Sequence, residues 1–363
     1  MKIKKKKEKR VRRILVRTLL GVVVLIFTGA IVFLVTQISG KNSLYSHADS
    51  GEMITTLSAL ATELGGAPEE EEEEEEDWQS GDIRYNGVHY RHNDDILTFL
   101  FLGIDKLNEV APVEDGIDGG QSDAVFLLIL NPHSKEISVI GIPRDTMTDV
   151  EIYDEKGIYW GTEKAQISIQ HGYGDGAEIS CERSKKAVSR LFYGLPVNGY
   201  CAINMGAIPL INDAVGGIEV NAVETMDYGE LRVKEGETIH LDGMEAYYYL
   251  HNRDTESFNS AGRRLERQKQ YLTAYASAAI SALKEDLTFP LTLYNTLSKY
   301  MVTDIGVDEI SYLAGQVAGY RFSGENLHVL RGATVQGEIY EEFYPDEKAL
   351  YELILEVFYE EVE

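Results

Sequence analysis

The sequence predicts an α/β domain of layered architecture behind a single N-terminal transmembrane helix. Three observations lead there. Apolar runs of strand length alternate along the chain with segments of helical periodicity, so strands and helices should stack in layers. The run ILTFLFLGID at 96–105 is apolar at consecutive positions, the pattern of a buried strand. One uncharged stretch of membrane-spanning length follows a basic tail. The chain carries no internal repeat.

The first thirteen residues, MKIKKKKEKRVRR, hold nine Lys/Arg and one acid, Glu8. From Leu19 to Val35 the chain reads LLGVVVLIFTGAIVFLV, and Thr18 and Thr36 extend this uncharged run to nineteen residues. At about 1.5 Å rise per residue that is close to the ~30 Å of a bilayer core. Arg17 can snorkel from the inner edge. The thirty residues beyond the span hold one Lys and no Arg, so the positive-inside bias sets the N-terminus in the cytoplasm. A cleaved signal peptide is the alternative. Against it, the run exceeds the roughly 7–15 residues of such a core, and no convincing small-x-small site follows. The expected organisation is a basic cytoplasmic tail at 1–17, a transmembrane helix at 18–36, an extracytoplasmic linker at 37–81 and an extracytoplasmic domain at 82–363. This describes a single-pass protein of the cell membrane.

With 44% apolar residues the exported part can bury a substantial core. The net charge is −26, and residues 84–363 alone hold 46 Asp/Glu against 23 Lys/Arg. A general nucleic-acid binder needs a basic footprint, so nucleic acid is excluded as a partner of the domain. The basic tail is suited instead to anionic lipid headgroups. Cys181 and Cys201 fit no metal motif; they read either as a disulfide of an exported domain or as two small buried hydrophobes.

Residues 42–64 are weakly amphipathic and read as a short helix. Eight consecutive glutamates, Glu69 to Glu76, repel one another and should form an extended, solvated stalk. After the 96–105 strand comes a Gly/Asp-rich loop at 113–122. AVFLLIL, a turn at NPHSK and EISVIGI then read as a hairpin of central strands. A helix over 180–194 stops before Gly194; VNGYCAIN reads as a strand and IPLINDAVGG as a helix closed by glycines. IEVNAV is a further strand, 242–251 and 261–283 are helices, and 285–320 is mostly helical. NLHVLRG is a late strand, and 345–361 an amphipathic closing helix.

Three loops stand out chemically: Gly103-Ile104-Asp105, Ser122-Asp123 and Ile142-Pro143-Arg144-Asp145, each at a strand end, where α/β sheets bind ligands. Two carboxylates with phosphate oxygens and waters are the usual way to hold Mg²⁺. Taken singly, Asp105 and Asp123 more often read as caps of turns. Residues 253–268, RDTESFNSAGRRLERQ, concentrate Arg253, Arg263, Arg264 and Arg267 on an acidic background. Arg264, Arg267 and Gln268 stand at i, i+3 and i+4 and share a helix face, which Tyr271 extends. Converging guanidiniums match phosphate oxygens and stabilise developing charge; the plain alternative is a solvated helix with Glu266 as partner. There is no GxSxG and no P-loop, and the eight His are scattered, which disfavours a triad hydrolase and an NTPase.

Taken together, basic tail, span, FLFLGID, SDAVFLLILNP, IPRDT, NDAVGGIEV, AYYYLHNRD and RRLERQKQYL in this order resemble the LytR-CpsA-Psr family of cell-wall glycopolymer transferases. The resemblance runs continuously from residue 96 to about 275. It implies an α/β/α sandwich with a central mixed β-sheet and an apolar pocket for a lipid tail. It also implies transfer of a teichoic acid- or capsule-like glycopolymer, with its phosphate, from a polyprenyl (pyro)phosphate carrier to peptidoglycan. Mg²⁺, with Mn²⁺ as the alternative ion, would sit on Asp105 and Asp123. Arg144, Arg253, Arg263, Arg264 and Arg267 would hold phosphates, and Asp145 and Gln268 would complete the catalytic set. The chain departs from the family pattern in three places. Gln121 stands where an Arg is frequent, His251 replaces the first of the paired arginines, and Asn259 or Ser260 stands where an Asp is common. Two other outcomes fit the same residues: hydrolysis of the lipid pyrophosphate, and binding without turnover as an envelope scaffold. Product analysis separates them.

Overall fold

Asn131 begins the turn that builds the centre of the sheet: its side-chain oxygen accepts from the backbone N–H of His133 and Ser134, at 2.9 and 3.1 Å, and Lys135 takes φ 56°. In this computed structural model, residues 33–46, 50–65, 77–114, 116–117, 119–252 and 260–362 are described. The central sheet has six strands: β1 Leu97–Ile104, β2 Ser122–Asn131, β3 Glu136–Ile142, β4 Gly199–Asn204, β5 Met301–Thr303 and β6 Leu327–Val329. Their order is β5-β4-β1-β2-β3-β6. The β1–β2, β2–β3 and β4–β5 pairs are antiparallel, and β1–β4 and β3–β6 parallel, so the sheet is mixed.

Side chains alternate between the two faces with period two. Leu100, Leu102 and Ile104 of β1 and Val125, Leu127 and Ile129 of β2 face helices α1 (Gly51–Leu64), α2 (Glu178–Leu191) and α5 (Glu347–Phe358), through Met53, Leu57, Val188 and Ile354. Leu97, Phe99 and Leu130 face the other way, toward Leu44, Tyr320 and Ile280 of helix α4 (Ser260–Glu285). Each fully buried Leu or Ile contributes about 1.5–3 kcal/mol, so a one-residue slip that exchanged the faces is strongly excluded. Helices thus cover both faces. A smaller core joins the strand pairs Ile218–Asn221/Thr238–Leu241 and Met226–Tyr228/Leu231–Val233 to helix α3 (Gly243–His251) and α4, around Tyr249 and Tyr271. Asp242 starts α3 with a capping box: it accepts from Glu245 N, and Glu245 Oε2 accepts from Asp242 N, both at 3.1 Å.

Several expectations need correction. The packed body begins well before residue 82. Residues 33–46 are helical, Leu44 is buried, and α1 buries Met53, Leu57 and Ala61 in the main core. An apolar face that finds a partner in the sheet is no longer linker. The segment 285–320 is mostly helical, as expected, with helices at Phe289–Leu297 and Val307–Val317; β5 between them pairs with β4 through three residues. Cys181 and Cys201 are both buried and free; burial pushes the Cys201 thiol up to about 12. They act as small core residues. The 18–36 span lies mostly, and the Glu69–Glu76 stalk wholly, outside the described residues. Among the described residues no helix is long and apolar enough to cross a membrane.

Candidate active site

Antiparallel pairing of β1 with β2, and of β2 with β3, brings three loops to one end of the sheet. Asp105 follows directly on β1, Asp123 is the second residue of β2, and Arg144 lies two residues beyond β3. Gly103 is opposite Ala124, and a Cβ at Gly103 would stand 3.0 Å from the Ala124 Cβ, so glycine lets the two strand ends approach. Asp105 N donates to Gln121 O at 3.0 Å, closing the gap.

Asp123 is the centre of the site and only 6% exposed. Its Oδ1 accepts from Arg144 Nη1, and its Oδ2 from Arg264 Nη1 at 2.8 Å. Arg264 is 3% exposed, and a charge so buried needs a counter-charge. Arg144 also donates to Gln121 Oε1 at 2.5 Å. Its Nε is buried, 3.4 Å from Asp145 Oδ1, and makes no hydrogen bond among the described residues.

The Pro143–Thr146 loop is fixed by its neighbours. Thr146 is fully buried, with its Oγ1 donating to Pro143 O at 2.6 Å. Ser168 N donates to Arg144 O, and Phe343 N to Asp145 O. Gln166 Nε2 donates to Asp145 Oδ1 at 2.9 Å and to Glu341 O at 2.8 Å. The strands supplying these contacts, Met147–Tyr153/Tyr159–Gln166 and Gly332–Gln336/Glu341–Pro345, form two hairpins beside the sheet.

Helix α4 divides its polar residues. Arg264 reaches Asp123. Arg263 is half-exposed and pairs with Glu224 at 3.3 Å. Arg267 is 1% exposed: Nε donates to Tyr249 O at 2.7 Å, Nη1 to Glu224 and Nη2 to Asn252 O. Burial lowers its guanidinium to about 10. Arg267 is therefore a strut that ties the end of α3 to α4, and this corrects its assignment as a phosphate ligand. Gln268 likewise donates to Leu250 O at 3.3 Å. Arg253 and Asn259 lie outside the described residues.

Two cavities meet here. One, of about 270 Å³, is lined by Asp123, Arg144, Asp145, Arg263, Arg264 and Glu266 among others. The other, of about 300 Å³, runs between the sheet and α4 and is lined by Phe101, Phe126, Ile203, Ile211, Leu250 and Leu272 among others. Ala124 and Gln268 line both. His251 lines the apolar cavity, and its Nε2 stands 3.5 Å from Asp105 Oδ1. One ligand atom each from Asp105, Asp123 and His251 lie within 4.8 Å of one another. Carboxylate oxygens with an imidazole nitrogen at this spacing suit a divalent cation.

Sequence reasoning missed Glu224, which neutralises Arg263 and Arg267, and Gln166, which fixes Asp145. Glu224 lies in the bend between the Ile218–Asn221 and Met226–Tyr228 strands, and Gln166 ends a largely exposed strand, so no periodicity marks either. His251 stood out only as a departure from a motif.

Guanidiniums paired on a buried carboxylate thus stand at the strand ends of a mixed sheet, beside an apolar cavity, in an α/β/α domain. The LytR_cpsA_psr family model matches residues 58–350, and the chain belongs to this family. It is 27% identical over 244 residues to the polyisoprenyl-teichoic acid–peptidoglycan teichoic acid transferase TagU of Oceanobacillus iheyensis, covering 67% of this chain and 70% of the relative. It is 26% identical over 255 residues to the TagU of Halalkalibacterium halodurans, covering 70% and 76%. Among solved structures, B. subtilis TagV superposes with a TM-score of 0.54 at 22% identity, covering 72% of this chain and 94% of that one. TagT bound to LI-WTA superposes with a TM-score of 0.52 at 20% identity, covering 72% and 89%. These structures share the fold.

Proposed function

We propose that the chain transfers a glycopolymer, such as a teichoic acid, from a polyprenyl pyrophosphate carrier to peptidoglycan. The observation that carries this reading is the junction of the two cavities at Ala124 and Gln268. A polyprenyl pyrophosphate joins the same two chemistries in one molecule: a hydrocarbon chain and a polyanion. The transferase names of the relatives agree with it.

In this reading the hydrocarbon lies between β1, β2 and α4, and the pyrophosphate meets Arg144, Arg263 and Arg264, with Arg253 added from the family motif. Bidentate guanidiniums fit phosphate oxygens. Arg144 Nε, buried and without a hydrogen-bond partner among the described residues, supplies a further donor. The acceptor hydroxyl oxygen bonds to the phosphorus that carries the polymer. The bond from that phosphorus to the bridging oxygen breaks, and polyprenyl monophosphate leaves. The hydroxyl proton passes to Asp145, which lines the polar cavity. Asp105 and Asp123 would hold Mg²⁺ or Mn²⁺, which when bound neutralises phosphate charge. Asp123 also keeps Arg144 and Arg264 aimed at one point, so little reorganisation precedes reaction.

The same proposal places the work at the outer membrane face, with residues 1–17 in the cytoplasm and 18–36 as anchor. Phe33, Leu34 and Val35 are exposed on a helical stretch, as the end of a membrane span would be once lipid is removed. A carrier of this kind leaves the bilayer only at a cost of roughly 0.8 kcal/mol per CH₂, so an enzyme acting on it must come to the membrane.

The test is extraction and mass analysis of lipid from the purified full-length protein. Polyprenyl phosphate at near one per chain is the expected result. Bulk phospholipid alone would count against the carrier assignment.

A further inference from the structure

We infer that His251 is a third protein ligand of the divalent cation, making this an oxygen–oxygen–nitrogen site that prefers Mn²⁺ to Mg²⁺. The inference rests on the proposed role of Asp105 and Asp123 as the cation carboxylates and adds to it a ligand and a preference.

The ring is held in place from three sides. His251 is the last residue of α3, whose start is fixed by the Asp242/Glu245 capping box. Its end is fixed by Arg267, which donates to Tyr249 O and Asn252 O on either side of His251. One turn back, Tyr247 stacks on the imidazole with centroids 5.1 Å apart and planes at 13°. The Nδ1 edge of the ring is engaged by the protein: it lies 3.1 Å from Asn252 Oδ1 and 3.4 Å from the Tyr247 hydroxyl. The other ring nitrogen, Nε2, faces Asp105 Oδ1 at 3.5 Å.

A divalent cation placed between Nε2 and Oδ1 would be coordinated by both. The 4.8 Å bound on all three ligand atoms suits this role. Bonds of about 2.0–2.2 Å separate ligands on one ion by roughly 3–4.4 Å, so only a small closure is needed. An outer hydrogen bond from the far ring nitrogen is the usual support of a metal-binding histidine. Mg²⁺ keeps to oxygen ligands and water, whereas Mn²⁺, also an oxygen-binding ion, opens the transition-metal series and accepts a nitrogen ligand more readily. Replacing an arginine with an imidazole here therefore changes the ion the site selects.

The test is Mn²⁺ binding to the full-length protein in detergent, followed by electron paramagnetic resonance, with pulsed detection of ¹⁴N modulation. The expected result is one bound Mn²⁺ showing imidazole nitrogen coupling, which changes to the ¹⁵N pattern when histidine is ¹⁵N-labelled. That readout needs no variant. In His251→Gln the coupling should vanish and Mn²⁺ affinity fall at least about tenfold, with Mg²⁺ affinity nearly unchanged. Bound Mn²⁺ that is lost in Asp105→Asn but shows no nitrogen coupling would overturn the third-ligand inference and leave the carboxylate site standing. Failure to bind Mn²⁺ at all would overturn both.

Discussion

Replacing Arg267 with alanine should cost mainly stability, because its guanidinium serves the fold. Its side chain is 2% exposed and donates to one carboxylate and two carbonyls. Removing one partner of a buried ion pair typically costs about 3–5 kcal/mol. Glu224 retains Arg263 at 3.3 Å and is 27% exposed, which favours the lower end, about 3 kcal/mol. Lysine should restore little of this, since one ammonium cannot span three acceptors in a fixed fork. Urea unfolding of the solubilised protein measures the loss, and hydrogen exchange should localise it to α3 and the 218–241 strands. A variant with unchanged unfolding but sharply reduced turnover would refute the strut and return Arg267 to the phosphates.

Asp123→Asn should destabilise the site by roughly 3 kcal/mol, because it removes the buried carboxylate charge that Arg144 and Arg264 share. A double change with Arg264→Met should recover part of that loss in an unfolding assay, and simple additivity would count against the pairing. Leu272→Trp, on the wall of the apolar cavity, should abolish co-purifying polyprenyl phosphate while leaving the circular dichroism spectrum intact; normal lipid content would place the hydrocarbon elsewhere. His171 makes stability depend on pH. Burial lowers its pKa from 6.5 to about 4, and Nδ1 lies 3.2 Å from Gly120 O. Folding therefore favours the neutral ring. The stabilisation is complete above pH 6.5, declines as pH falls from there to about 4, and amounts to roughly 3 kcal/mol. His171→Asn should flatten that part of the profile in urea titrations, and an unchanged slope would assign it to other groups.

How much of this was legible beforehand differs by element. Strands β1, β2 and β3 declared themselves because a central strand with helices on both faces must be apolar at nearly every position. Asp105, Asp123 and Arg144 were legible because each ends or begins such a strand. The Tyr159–Gln166 strand was not, since most of its residues face solvent and no alternation marks it. Helical spacing placed Arg264 and Arg267 on one face, but spacing does not say which neighbour each meets. Asp123 stands beside one, and Glu224 with the carbonyls of α3 beside the other, and only the tertiary fold sets that difference.

The most direct measurement supplies purified full-length protein with a polyprenyl-pyrophosphate-linked glycopolymer and peptidoglycan, and follows both products. The account predicts polymer joined to peptidoglycan through a phosphodiester, with one polyprenyl monophosphate released per linkage, and loss of both in Arg144→Ala. Polymer phosphate released to water at the same rate with or without peptidoglycan would contradict it.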